Sequence, residues 1–304
     1  MNKKENDEKE KIITVDNHHK HNQCPCCGDS KVRNKGEIQY NYPLYFSTQA
    51  IKILHQPELY KCLVCDSAFV QNALTEEDAR KLYSSGDADG RWSSPSFKEA
   101  KTVIVIETLS NLLKHGVRVL DIGCSSGNWL DYAQKKGAIT SGVEYSDTTL
   151  RLVEQKGHKG FSNIQQVQGC FDIITAFDLI EHLYDIPTFL ETCLTLLSPG
   201  GSLLLLTGDI SCFTAKISTS KWWYASYPEH IVFPSRKFFE SHSDFKIISY
   251  IKTYANPYHK QSFLRTLKMT ALSLLKGRYS GSPSIVPDHM MVILQSKNTW
   301  KVVK

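Results

Sequence analysis

Asp121-Ile122-Gly123-Cys124-Ser125-Ser126-Gly127 follows the apolar run Arg118-Val119-Leu120 and precedes the stretch GNWLDYAQKKG at 127–137. The run reads as a strand and the stretch as an amphipathic helix, so the glycines fall where strand turns into helix. Glycine suits that position because the backbone must turn sharply and approach a ligand closely, with the helix N-terminus just beyond. A glycine-rich turn alone is common to several nucleotide-binding folds. Spacing narrows the choice: TSGVEYS at 140–146 reads as a second strand ending in Glu144. That carboxylate stands about 20 residues past the turn, where it can accept both hydroxyls of a ribose. The plainer alternative for Glu144 is a solvated strand-end acid.

The alternation continues outward. DTTLRLVEQKG (147–157) reads as a helix, FDIITAFDL (171–179) as a strand, and IPTFLETCLTLL (186–197) as a helix entering Ser198-Pro199-Gly200-Gly201. GSLLLLTGD (201–209) reads as another strand. Near-continuous apolar strands between amphipathic helices predict a mostly parallel sheet covered on both faces. PSRKFFESHS (234–243) predicts a later helix, and FKIISYIKTYA (245–255) and MMVILQSKN (290–298) two further strands. Residues 256–287 read as a helical segment inserted before the last strand. Within it, Gln261–Lys276 places Phe263, Leu264, Leu267, Ala271, Leu274 and Leu275 near one face, with Arg265, Lys268 and Lys276 on the polar side. Packing on the sheet edge is the expected use of that face; peripheral membrane contact is the sharper one.

Upstream, Cys24-Pro25-Cys26-Cys27 and Cys62-Leu63-Val64-Cys65 supply two C-x2-C knuckles. The nine cysteines are an odd number, and 1–22 lacks the apolar centre of an export signal, so clustered thiols read first as metal ligands. Cys24, Cys27, Cys62 and Cys65 make the four-thiolate set of a structural zinc, with Cys26 a bystander. The remaining cysteines, Cys124, Cys170, Cys193 and Cys212, read as small buried residues. The expected organisation is a disordered charged tail (1–22, with His18, His19 and His21), a zinc-ribbon module (23–72), a helical connector (73–116, with helices opening at Thr75 and spanning about 98–115) and a nucleotide-binding domain (117–304).

Hydrophobic residues make up 41% of the 304 and charged residues 22%, which provides for a substantial core. No apolar run approaches the roughly 20 residues of a membrane-spanning helix, and a cytoplasmic protein is expected. The net charge of +5 is uneven, with eight Lys or Arg against Asp288 alone from Asn256 onward. Such an end is compatible with an anionic acceptor, a membrane surface, or nothing specific. Residues 23–72 hold only five basic residues, which disfavours a nucleic-acid partner for the zinc module.

In order, DIGCSSG, GVEYS, FDIITAFDLIEHLYD, LLSPGGSLLLLTGD and WWYASYPEHIVFPSRKFF resemble the successive motifs of class I S-adenosylmethionine-dependent methyltransferases, from about Arg118 to Ser249. The resemblance implies an α/β, Rossmann-like, seven-stranded and mostly parallel sheet with the last strand antiparallel. It implies S-adenosylmethionine as co-substrate, with Asp121, Gly123, Ser125 and Gly127 at its methionine end, Glu144 on the ribose, Tyr145 beside the adenine, and Phe177 and Asp178 bordering the sulfonium. Ser125 departs from the glycine usual there. His182 and His230, each after a Glu, are the candidate general bases; their structural alternatives are a helix start and a loop brace. A divalent cation held by Asp178, Glu181 and His182, like the cluster of quinone-biosynthesis methyltransferases, is a lesser expectation. The zinc ribbon followed by ALTEEDARKLY (73–83) is similar to a group of bacterial methyltransferases associated with sugar, glycan or secondary-metabolite biosynthesis. A small-molecule or glycan-type acceptor, methylated on oxygen or carbon, is therefore expected ahead of RNA methylation or a non-catalytic partner role.

Overall fold

The computed structural model describes residues 12–40, 44–46, 49–85, 105–254, 267–268, 271–272 and 286–297. Its N-terminal part contains β1 (Ile13–Val15), β2 (His18–Lys20), β3 (Val32–Glu37), β4 (Leu44–Phe46), β5 (Gln49–Ile53), β6 (Glu58–Cys62), β7 (Ala68–Val70) and β8 (Asn72–Leu74), then α1 (Glu76–Ser85). Thr75 caps α1 by accepting from the Asp78 N–H at 3.2 Å, and three acids fill its first turn. The disordered tail expected over 1–22 is corrected for 12–22. There β1 pairs in parallel with β5 and β2 antiparallel with β8, so His18 and His19 are strand residues. Such short, polar strands carry no periodic signal of their own; pairing partners more than thirty residues downstream satisfy their backbone groups. Residues 105–109 are helical within the expected connector, and Gly116 turns the chain at φ +82°.

The second part contains β9 (Arg118–Ile122), α2 (Asn128–Lys135), β10 (Ile139–Val143), α3 (Asp147–Gln155), β11 (Lys159–Phe161), β12 (Phe171–Phe177), α4 (Ile186–Leu196), β13 (Leu197–Gly208), α5 (Phe213–Ser218), β14 (Val232–Phe233), α6 (Arg236–Glu240), β15 (Phe245–Thr253) and β16 (His289–Ser296). Seven of these strands form one sheet in the order β11-β10-β9-β12-β13-β16-β15, in which β16 alone runs antiparallel to its neighbours. The resemblance implied this architecture: seven strands, mostly parallel, with the last one antiparallel. Successive residues of each central strand enter opposite cores. Leu120, Ile174, Leu203, Leu205 and Val292 pack on one face, and Val119, Ile173, Leu204, Leu206 and Met291 on the other. That two-sided burial explains why the strands read as unbroken apolar runs.

The two parts share structure. β14 joins β7 to complete the four-stranded sheet β14-β7-β6-β3, and Cys24, Cys62, Cys65 and Phe69 belong to the same core as Leu120 and Leu205. Most of 256–287, and with it most of the expected helix at 261–276, lies outside the described residues. Residues 267–268 and 271–272 are helical, and Leu267 is 48% exposed. Among the described residues no helix is long and apolar enough to cross a membrane.

Candidate active site

At the C-terminal end of β9 the chain takes left-handed φ values at Gly123 (+76°), Ser125 (+48°) and Gly127 (+74°). A serine in that region costs about 1–2 kcal/mol, which is why glycine is usual at the second position. Ser125 is compensated by donating its N–H to Glu144 Oε2 at 3.0 Å, while Glu144 Oε1 accepts from Ser146 N at 3.0 Å. Glu144 thus ties the end of β10 to the glycine-rich turn. Gly142 has a different role: a Cβ there would lie 2.5 Å from Cys124 Sγ, so its absence lets β10 pack against the turn. Gly127 caps α2 without a side-chain acceptor, leaving the helix N-terminus facing the turn. Asp121 is buried within β9 and accepts from Thr175 Oγ1 at 2.6 Å. Burial pushes its pKa up to about 7 despite that hydrogen bond, with the Glu144 charge adding in the same direction. Tyr145 is 58% exposed beside Glu144.

A second cluster lies beyond β12. Phe177 and Asp178 are half-buried, with Asp178 at φ +47°, and a short 3₁₀ turn over Ile180–His182 follows. Glu181 is fully buried. Thr207 Oγ1 donates to its Oε2 at 2.9 Å, and the Tyr224 hydroxyl donates to its Oε1. Burial opposes its charge, yet the neighbouring His182 and His230 and the Tyr224 hydroxyl outweigh burial and hold the carboxyl below its ordinary value. His182 Nδ1 lies 2.8 Å from the Glu229 carbonyl, and His230 Nδ1 lies 2.7 Å from the Tyr224 carbonyl. A carbonyl only accepts, so each Nδ1 carries a proton. Burial, then the charge of His182, pushes His230 down to about 3, which leaves it neutral. Tyr83, from α1, places its hydroxyl 3.0 Å from His182 Nδ1. Tyr224 fits over the end of β13 because Gly208 lacks a side chain; a Cβ there would lie 2.3 Å from the ring.

The four predicted zinc thiols converge. Cys24 and Cys65 Sγ are 3.6 Å apart, as are Cys27 and Cys62, and all four lie within 4.8 Å of one another. Tetrahedral zinc with bonds near 2.3 Å needs sulfurs about 3.8 Å apart, so the set fits. Val64 and Cys65 N–H groups point at Cys62 Sγ (3.4 and 3.5 Å), as knuckle backbones do to steady a thiolate. Packed together, the thiols resist ionisation: the hydrogen bond with Cys26 leads in raising Cys24, and burial leads in raising Cys27 to about 11. A divalent cation reverses that balance. Cys26 is buried and lies outside the set.

Glu144, the glycine-rich turn, Phe177 and Asp178 lie at the C-terminal ends of β9, β10 and β12, and His182 and His230 rest against each other (ring centroids 4.8 Å). The group that converges with metal-binding geometry is Glu181, His182 and His230, not the expected trio with Asp178. Asp178 instead lies 3.5 Å from the Tyr224 hydroxyl. Tyr83, Thr207 and Tyr224 were missed. Tyr83 ends ALTEEDARKLY, Thr207 lies in LLSPGGSLLLLTGD and Tyr224 in WWYASYPEH, but the contacts that bring them to the site are long-range.

Sheet order and glycine turn together define a Rossmann-like α/β domain. Sequence comparison agrees: the family model described as a methyltransferase domain matches residues 97–242. The chain is 33% identical over 102 residues to the ubiquinone biosynthesis O-methyltransferase of Coxiella burnetii, covering 30% of this chain and 44% of that protein. It is 28% identical over 108 residues to the human mitochondrial ubiquinone biosynthesis O-methyltransferase, covering 30% and 29% respectively. The match thus spans less than half the length of these relatives. Similar solved structures include N-methyltransferase NodS from Bradyrhizobium japonicum (TM-score 0.47, 12% identity, covering 73% of this chain and 98% of that one). Coclaurine N-methyltransferase is another (TM-score 0.46, 14% identity, 64% and 72%).

Proposed function

We propose that the chain transfers the methyl group of S-adenosylmethionine to a small-molecule acceptor, on oxygen or carbon, with glycan-type compounds among the candidates. The observation that carries this reading is the line of Glu144, Gly123–Gly127 and Asp178 along the C-terminal edge of β9, β10 and β12, with the Glu181–His182–His230 cluster beside it. The co-substrate supplies an electrophilic methyl, so the protein's tasks are alignment and exclusion of water. Glu144 would accept the ribose hydroxyls and the glycine-rich turn would admit the methionine end. His182 and His230 would orient the acceptor by hydrogen bonding. The named relatives act in ubiquinone biosynthesis, which makes phenols the first acceptors to try. Purified protein should release S-adenosylhomocysteine with at least one member of a panel of phenols and nucleotide sugars. Release only with RNA would overturn the small-molecule reading.

Glu144→Ala should weaken S-adenosylmethionine binding by about 1.5–3 kcal/mol, the range of hydrogen bonds to a charged group. Because Glu144 also receives the Ser125 and Ser146 N–H groups, the variant loosens the turn, and the loss should lie at the upper end. Calorimetry on the folded variant checks this; unchanged affinity removes Glu144 from the ribose.

A divalent cation at Glu181, His182 and His230 is a second reading, favoured by the convergence of one oxygen and two ring nitrogens within 4.8 Å. Two imidazoles and one carboxylate fit a transition-metal ion and leave positions open. When bound, such an ion would lower the pKa of an acceptor hydroxyl. The expected result is turnover that falls in EDTA and returns with added manganese while the zinc content of the chain stays constant. Full turnover in the chelator ends this reading.

A further inference from the structure

Asp288 and His289 open β16 directly beside the acceptor-side cluster, and neither has a role in the reading above. Both are almost completely buried. His289 Nδ1 lies 2.9 Å from Asp288 Oδ1, and Trp223 Nε1 donates to Asp288 Oδ2 at 3.0 Å. The backbone is fixed as well: the Asp288 N–H donates to the Thr253 carbonyl at 3.1 Å and its own carbonyl accepts from Asp209 N at 2.8 Å. His289 pairs with Gly208, at the C-terminal end of β13, and its ring stands edge-on to Tyr224 with centroids 4.7 Å apart. Tyr224 in turn binds Glu181 and reaches toward Asp178. His289 is therefore one ring away from Glu181, across Tyr224.

The three imidazoles differ in what holds Nδ1. His182 and His230 donate to neutral carbonyls, and His230 is kept neutral. His289 alone donates to a carboxylate, which fixes its tautomer and can balance the positive charge an imidazole acquires with a second proton. Asp288 itself is steadied by the Trp223 indole. A buried carboxylate is costly and gives a strand start nothing that a neutral cap would not. We propose that the Asp288–His289 pair is the proton acceptor for the methyl acceptor, an inference that rests on the methyl-transfer reading. The acceptor's O–H or C–H proton passes to His289 Nε2 as the acceptor's electron pair forms the new bond to the methyl carbon. The carbon–sulfur bonding pair returns to sulfur, leaving the neutral thioether. Asp288 balances the imidazolium until its proton leaves to water.

The test uses ring-nitrogen NMR on full-length, zinc-loaded protein labelled at histidine, with His289→Gln to assign the signal. His289 should be the neutral tautomer protonated on Nδ1, and Asp288→Asn should abolish that preference. S-adenosylhomocysteine should leave the Nε2 resonance in place. Sinefungin, the cofactor analogue bearing an amine at the transfer position, should shift it. That ligand comparison needs only the wild-type protein, so it stands if Asp288→Asn fails to fold. Protonation on Nε2, or identical spectra with both ligands, overturns the pair's role. If neither ligand binds in calorimetry, the methyl-transfer reading fails instead.

Discussion

Cys65→Ser, or removal of the zinc, should unfold the N-terminal module and abolish turnover together. The contribution of a structural four-cysteine zinc to folding is about 10–16 kcal/mol, as large as a typical domain's whole stability of about 5–15 kcal/mol. The damage should reach the acceptor side because the knuckle is bonded to it. Ser235 Oγ donates to the Cys65 carbonyl and Ser235 N donates to Ser67 Oγ at 3.0 Å. Val70 N donates to the Ile231 carbonyl at 2.7 Å, and Ile231 N to the Glu181 carbonyl at 2.9 Å. His230 precedes Ile231 in this chain of bonds. A displacement of about 1 Å at a positioned group costs on the order of 10²-fold in rate, so even a partly folded variant should lose that much. The control is Cys26→Ser, which should retain one zinc per chain and most of its activity, because Cys26 lies in the knuckle but outside the thiol set. Elemental analysis, hydrogen exchange over 58–74 and 230–235, and turnover check the three parts. A zinc-free, fully active chain would show that the module is dispensable.

The sheet was legible because its signals are local. Alternation of apolar runs with amphipathic segments gave the strand and helix order, and turns at Gly123, Gly127 and Gly137 marked where each changes. The zinc set was legible because two pairs of thiols at knuckle spacing point to a four-thiolate metal site. What escaped the sequence was assembled through space. β14 is two residues long and exists because β7 offers it a partner. β1 and β2 are three residues each and equally dependent on partners. Tyr83 lies 99 positions from His182, and Trp223 lies 65 positions from Asp288; no spacing rule links them. Ser125 shows the reverse case, since its departure from glycine was visible in sequence. The structure explains how it is tolerated: the left-handed φ is kept and its N–H is tied to Glu144.

Glu181→Gln should leave S-adenosylmethionine affinity close to wild type and lower kcat on the order of 10²- to 10⁴-fold, the range for loss of a group that assists proton transfer. The fold should survive, because glutamine has the same shape and its oxygen can accept from one of the two hydroxyls now held by the carboxylate. The Thr207 and Tyr224 hydroxyls can rotate, so the one facing the new amide can accept instead of donate. The backbone bond from Ile231 N to the Glu181 carbonyl is unaffected. Only the negative charge is removed. That charge lies beside two imidazoles and favours a proton or cation among them. Without it, a proton or cation at this cluster loses its anionic partner, and the acceptor is held less well. Glu181→Ala is the harsher comparison: it strands two buried hydroxyls at about 1–3 kcal/mol each and should lower Tm, which the glutamine variant should not. Calorimetric cofactor binding, thermal melts and kcat for the three proteins separate the cases. If the glutamine variant turns over like wild type, Glu181 is a brace for Tyr224 and Thr207, and the chemistry rests on the histidines alone.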